Sequence, residues 1–255
     1  MFRKSLLLLL LPLAFLLSMA SCDKEGKTGT VELQFKAFYD DQPLVLLQPY
    51  EYNDTLDVFF QRFNFYISDV LATPDKGDDE ELIEIDFVDF DAVDDLAKAA
   101  EGWTIKVDKV PAGKYRTLKI GLGVPADLNA TKESDYPDTH PLGKESHYWT
   151  AWESYIFTMI NAKVDTDGDG VFDDSAVAYH LGSDAVYRTM EFPYSFEVEK
   201  DGTTRIVLNV NLHHVFKEGN GYMDIIAIPT THTLSDLPQA IKASDNFANA
   251  FTIGE

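Results

Sequence analysis

Apolar and polar residues alternate with a period of two along much of this chain. That is the spacing of a strand with one buried and one wet face. Val31, Leu33, Phe35, Ala37 and Tyr39 interleave with Glu32, Gln34, Lys36 and Phe38. Residues 82–87 repeat the pattern, and residues 59–71 are dense in aromatic and β-branched side chains. Further strands are predicted over 104–107, 115–122, 154–164, 176–181, 194–199, 204–211 and 222–228, about ten in all. Val110-Pro-Ala-Gly113 predicts a hairpin or a crossing between sheets, and Asp201-Gly202 a hairpin turn. Helical patterns are confined to 92–100, with Asp91 as N-cap, and to 126–133 and 234–247. Many short strands punctuated by turns predict an all-β fold, a β-sandwich with long loops and a few short helices. The least regular stretch, 124–153, holds Pro125, Pro137, Pro141, His140, His147 and Trp149, with Trp152 just inside its end. A loop longer than about 15 residues inside a compact domain is either functional or disordered, and the aromatic residues here argue against disorder.

The opening residues are excluded from the fold. Arg3 and Lys4 precede an apolar run, 6–17, interrupted only by Pro12, which reads as a secretory signal over 1–21. Met19-Ala20-Ser21 before Cys22 is similar to a bacterial lipobox, so cleavage there and acylation of Cys22 are expected. Residues 22–30 then form a tether and 31–255 the folded domain. The expected location is the cell envelope, anchored by lipid to the outer membrane on its periplasmic or surface face. Cys22 is the sole cysteine, which excludes a disulfide framework and removes thiolates from any metal site in the domain. Removing 1–21 takes Arg3 and Lys4 and no acidic residue, moving the net charge from −22 to −24. So acidic a chain is unsuited to neutralising nucleic-acid phosphates, and membrane attachment would come from the acyl anchor.

Asp165-Thr-Asp-Gly-Asp-Gly-Val-Phe-Asp-Asp174 is the densest chemistry in the sequence. Asp165, Asp167, Asp169 and Asp173 occupy positions 1, 3, 5 and 9 of a calcium-type loop, and Val171 at position 7 offers a carbonyl. Position 12 is Ala176, so the bidentate Glu of an EF-hand is missing. The pattern predicts a Ca2+ loop outside an EF-hand; the plain alternative is a solvated acidic turn.

The histidines are dispersed. His140 and His147 lie in the long loop, His180 near a strand end and His213 with His214 near another, with His232 following. Imidazoles suit Cu and Zn, but no HxH or HExxH spacing appears, and spacing alone favours scattered or satisfied histidines.

Several segments in order resemble the MbnP-like family of periplasmic or surface proteins, which is linked to copper. They are Phe65-Tyr-Ile-Ser-Asp69, Pro111-Ala-Gly-Lys-Tyr115, Leu118-Lys-Ile-Gly-Leu-Gly-Val-Pro125 with Leu128-Asn129, Tyr148-Trp-Thr-Ala-Trp-Glu-Ser-Tyr155, and Tyr179-His-Leu-Gly182. The resemblance implies a histidine metal site, with His180 at a ligand position. It also implies a tryptophan, here Trp149, that a dihaem peroxidase-like partner can oxidise to kynurenine. Departures are His147 for the usual Met, Ala151 at the second Trp position, and Ser154 for a Gly. With no thiolate available, the copper ligands expected are His180, His147 and one of His213 or His214.

Two functions are consistent with these features. One is a lipid-anchored, non-catalytic copper-binding protein with a separate structural calcium loop. The other is a calcium-stabilised β-sandwich module that recognises carbohydrate or protein through the aromatic segment 147–155. Inward convergence of Trp and His distinguishes the first, and coplanar exposed rings the second. A hydrolase is not indicated, since neither G-x-S-x-G nor HExxH occurs.

Overall fold

The computed structural model describes residues 27–150 and 153–254. The signal segment, Cys22 and the first part of the expected tether lie outside the described residues, as do Ala151 and Trp152. The described chain forms two sheets and a small hairpin, with Lys217–Glu218 pairing Gly221–Tyr222.

Five strands make the smaller sheet. At its centre Thr28–Tyr39 runs antiparallel to Trp103–Pro111 and parallel to Thr203–Asn211. Gln42–Pro43 and Phe251–Ile253 pair at its margins. Burial along Thr28–Tyr39 alternates at every residue, as its sequence pattern predicts.

The larger sheet has nine strands. Its spine is Leu56–Pro74, which pairs with Pro49–Asn53, Glu80–Asp89, Gly113–Leu122 and Ser154–Asp165. Ser175–Gly182 extends the sheet beyond Ser154–Asp165, while Arg188–Phe192 and Phe196–Val198 pair with Gly113–Leu122.

Aromatic side chains fill the space between the sheets. Phe65, with no exposed surface, meets Phe35 of the smaller sheet at 6.1 Å between centroids. It also meets Phe247 edge-on at 5.1 Å and Phe251 at 5.7 Å. The helix Leu237–Asn249 supplies Phe247 and buries Ala240 and Ala243. Edge-to-face contacts of this kind add about 0.5–1.5 kcal/mol each to what burial contributes.

Both turns flanking the sheets carry the chain between layers. Trp103–Pro111 lies in the smaller sheet and Gly113–Leu122 in the larger, so 110–113 is a crossing. Tyr115 fastens it by donating its hydroxyl to the Pro111 carbonyl at 2.7 Å and stacking on Phe196 at 5.0 Å. Asp201-Gly202, expected as a hairpin, also joins different sheets, because Thr203–Asn211 takes Thr28–Tyr39 as a parallel partner over nine residue pairs.

Local polar bonds move other boundaries. The helix expected from residue 92 starts at Leu96, where Asp95 accepts from the Lys98 N–H, and Asp91 instead receives the Phe63 N–H and the Asn64 amide. The strand expected over 222–228 shortens to Gly221–Tyr222, since Asp224 accepts from the N–H groups of Ile226 and Ala227 and closes a turn. The helix expected over 126–133 is Ala126–Asn129 followed by a single 3-10 turn.

Asn129 ties the long loop to the larger sheet. Its Oδ1 accepts from the Tyr155 N–H at 2.9 Å and the Ser154 hydroxyl at 3.1 Å, and its Nδ2 donates to Asp184 at 2.8 Å. Gly182 passes so close that a Cβ would lie 2.7 Å from the Tyr155 carbonyl oxygen. Asn129→Ala therefore strands a buried N–H and frees the loop, at an expected cost of about 2–3 kcal/mol. Urea unfolding measures this as a lower midpoint with an unchanged slope; an unchanged midpoint contradicts the anchoring role.

Candidate metal centre

The period of two that buries one face of the larger sheet aims the other residues outward. In register, His180 lies opposite Met159 and Met159 opposite Asn64, while Ala178, Asn161 and Arg62 form the next row. Directly paired residues share a face, so His180, Met159, Asn161, Asn64 and Arg62 populate one surface. Their neighbours Tyr179, Ile160 and Phe63 enter the core.

A second histidine reaches this surface through backbone pairing at the sheet edge. The Ala178 N–H donates to the Pro229 carbonyl at 2.8 Å, and the Thr231 N–H donates to the Ala178 carbonyl at 3.2 Å. The Thr231 hydroxyl donates to the His180 carbonyl at 3.1 Å. The segment thus runs parallel to Ser175–Gly182 and sets His232 beside His180, with ring centroids 4.6 Å apart. Asp236 holds the following turn by accepting from the His232 and Thr233 N–H groups.

Trp149 closes over the pair from the long loop. Its ring stands edge-on to His232 at 5.0 Å and to His180 at 6.4 Å. The Trp149 strand segment is placed by pairing Tyr148 with Tyr155 and Trp149 with Ser154.

The electrostatics favour neutral imidazoles. Burial, then His232 and Arg62, hold His180 down to about 4. Burial likewise lowers His232, against the carboxylate of Asp236. The His180 Nε2 hydrogen bonds to Asn161 Oδ1 at 2.8 Å; an amide oxygen only accepts, so Nε2 carries the proton and Nδ1 keeps its lone pair. His232 Nε2 is buried with no hydrogen-bond partner among the described residues. An orphaned buried nitrogen costs about 1–3 kcal/mol, and an electrophile beside it would relieve that cost.

His147 lies next to this pair with its nitrogens already engaged. It is 5 % exposed, its Nε2 bonds Asn64 Oδ1 at 2.9 Å and its Nδ1 bonds Ser146 Oγ at 2.9 Å. Burial, then Lys144, Arg62 and His180, lower it to about 4. Asn64 passes the network on to Asp91 at 3.0 Å, and Asp91 pairs with Arg62 Nε at 3.0 Å. Burial raises Asp91, ahead of the opposing pull of Arg62.

The remaining histidines are placed elsewhere. His213 and His214 lie on the short helix Leu212–Val215. His213 is packed on the Tyr179 side of the sheet, through Tyr52 and Phe216, and so on the face opposite His180. Its Nδ1 meets Asp40 at 2.8 Å, its Nε2 meets the Tyr52 carbonyl at 2.9 Å, and Tyr39 and Tyr222 stack on its two sides. His214 is half-buried among Asn209, Asn211 and Asn249 and is lowered by burial and Lys217. His140 stacks on Tyr136 at 4.4 Å and accepts from the Leu142 N–H.

In the acidic loop, carboxylate oxygens of Asp165, Asp167 and Asp174 lie within 4.8 Å of one another. Asp165 is buried and accepts from the N–H groups of Gly168 and Gly170. Asp174 joins the cluster and receives the Thr166 N–H and hydroxyl. Asp169 turns back to the Val171 N–H, and Asp169, Val171 and Asp173 are exposed.

Reasoning from spacing missed His232, Met159 and the polar trio Arg62, Asn64 and Asn161. A signal for the trio exists: Asn64 and Asn161 interrupt otherwise apolar strands at positions of one parity. Nothing local marks His232, whose place depends on pairing with a strand some fifty residues away.

A sequence profile described as MbnP matches residues 28–233. No match was found among curated proteins. Among solved structures, MbnP from Methylosinus trichosporium is similar, with a TM-score of 0.56 and 14 % identity over 89 % of this chain and 99 % of that one. That structural likeness speaks for the shared all-β fold, and the profile covers both the larger sheet and the histidine pair: the chain belongs to the MbnP family.

Proposed function

We propose that this protein binds one copper ion through His180 and His232, beside Trp149, and handles copper without catalysing a reaction. Family membership supports metal handling in coarse terms. The finer reading rests chiefly on one observation, two imidazoles with ring centroids 4.6 Å apart and a buried His232 Nε2 that has no hydrogen-bond partner among the described residues. The donor set fits the ion. Ligand imidazoles must be neutral, and burial keeps both so. Imidazole donors in a thiol-free pocket suit copper, which heads the divalent affinity series as Cu(II) and takes soft ligands as Cu(I). Asn161 on the far nitrogen of His180 is the sort of outer partner that orients a metal-binding histidine. The binding-module alternative expects coplanar aromatic faces, whereas Trp149 meets both histidines edge-on. Acylation at Cys22 would hold the site at the envelope, where a dihaem partner could reach Trp149.

His180→Ala and His232→Ala are each expected to abolish the single tightly held copper found by equilibrium dialysis with metal analysis. His214→Ala should keep it. Retention of copper by both pair variants contradicts the assignment.

A structural Ca2+ in the acidic loop is the second part of this reading, supported by the convergence of Asp165, Asp167 and Asp174. Saturation at a hundred times Kd adds about 2.7 kcal/mol. Calorimetry should then show a higher melting temperature with Ca2+ that EGTA removes and Asp167→Ala lacks; identical transitions would leave an acidic turn.

The metal-free protein should also be acid-labile. His147 and His180 are held to about 4 in the fold, against an ordinary value of 6.5 in the unfolded chain. Between those values the unfolded state binds more protons, so this stability is complete above pH 6.5 and is lost as pH falls towards 4. Each site contributes up to about 3 kcal/mol. Melting temperature against pH should fall through this window, less steeply in His147→Gln; a flat profile contradicts it.

A further inference from the structure

Met159 occupies an unusual position. It is 3 % exposed, yet among the described residues it stands outside the contiguous apolar core. It is paired across the sheet with His180 on one side and Asn64 on the other, on the face of the histidine pair. Its sulfur accepts a hydrogen bond from Arg62 Nη1 at 3.1 Å, while Arg62 Nε is tied to Asp91 at 3.0 Å. Met159 and His180 each make a contact one row along the sheet, Met159 with Arg62 and His180 with Asn161, so the thioether and the imidazole lean the same way.

We propose that Met159 and Arg62 are the selectivity element of the copper site, the thioether serving as a third donor and the tethered guanidinium disfavouring divalent ions. This rests on the copper reading above. A thioether is a soft, weak hydrogen-bond acceptor, so its contact with Arg62 is readily exchanged for a soft cation. Asp91 retains the guanidinium nearby after that exchange. Repulsion between a fixed positive charge and a bound ion is twice as large for a divalent ion as for a monovalent one at the same distance. Asp91 offsets part of the guanidinium charge, but it also receives the Asn64 amide and the Phe63 N–H. The combination of thioether donor and adjacent cation favours Cu(I) over Zn(II) and Cu(II).

The test uses the mature protein and three variants, Met159→Leu, Arg62→Gln and His180→Ala. Leu conserves volume in a packed site, so loss of packing alone should be small. Chelator competition for Cu(I) should show affinity weaker by about ten- to a hundredfold in Met159→Leu, the range for support residues around metals, with Zn(II) affinity unchanged. X-ray absorption of the wild-type Cu(I) protein should contain a sulfur scatterer that Met159→Leu loses. Arg62→Gln should strengthen Zn(II) relative to Cu(I) by about tenfold. Absence of the sulfur scatterer from the wild-type spectrum overturns the proposal even if Met159→Leu fails to fold. Equal changes for both ions in Arg62→Gln overturn the role of the guanidinium. If His180→Ala loses copper while Met159→Leu binds normally, the copper reading stands and this inference falls; if His180→Ala retains copper, the copper reading itself falls.

Discussion

Three hydrogen bonds between residues 178–180 and residues 229–231 create the histidine pair on which the proposed copper site depends. They convert an irregular segment after the last long strand into a short parallel edge, and so bring His232 to His180. Without them His180 is one imidazole on a sheet surface, a poor ligand set for any transition ion. Pro229 contributes to this edge through its carbonyl alone, which accepts the Ala178 N–H, and it sits at the start of the paired segment, where a proline is tolerated. The Thr231 hydroxyl adds a contact that only a side chain on this segment could make. Such bonds are individually worth about 1 kcal/mol, so the pair is held by backbone geometry more than by attraction between its rings.

The same sheet also separates the histidine pair from the core. Strand Ser154–Asp165 offers Ile160 and Ala162 to the interior and Met159 and Asn161 to the site. Polar groups on the site face are paired through a chain from His147 to Asn64, Asp91 and Arg62. A buried network satisfied in this way costs little, whereas a half-satisfied one is expensive. The His232 Nε2, without a partner among the described residues, therefore stands out against its surroundings. With Nδ1 of His180, it leaves two imidazoles with capacity for a ligand.

Much of the fold was legible in the sequence. Alternation over 31–39 and the aromatic density of 59–71 marked the two strands on which the sheets are built, and the ordered motifs pointed to the family. Which sheet a strand joins was not legible. The turn at Asp201-Gly202 has hairpin chemistry, but the parallel register of Thr203–Asn211 with Thr28–Tyr39 overrides it. The helix starting at Leu96 was misplaced because Asp91, a good cap by type, is recruited by the Phe63 backbone and Asn64. His180 and Trp149 could be read from motifs. His232 could not, because a single imidazole in an irregular segment acquires meaning only from a distant strand.

The contrast between His213 and His232 shows what separates a structural histidine from a proposed ligand in one scaffold. His213 is the more buried, yet both of its nitrogens meet oxygen acceptors and both faces of its ring are stacked on tyrosines. Its bonding capacity is exhausted inside the fold, so substituting it should disturb packing around Tyr39 and Tyr222 before it disturbs metal. His232 is less buried, its Nε2 has no hydrogen-bond partner among the described residues, and its ring lies 4.6 Å from that of His180. Depth of burial is therefore not what singles out His232 as the proposed ligand. The discriminating quantity is the unpartnered ring nitrogen, and pairing at the sheet edge is what brings that ring beside a second imidazole.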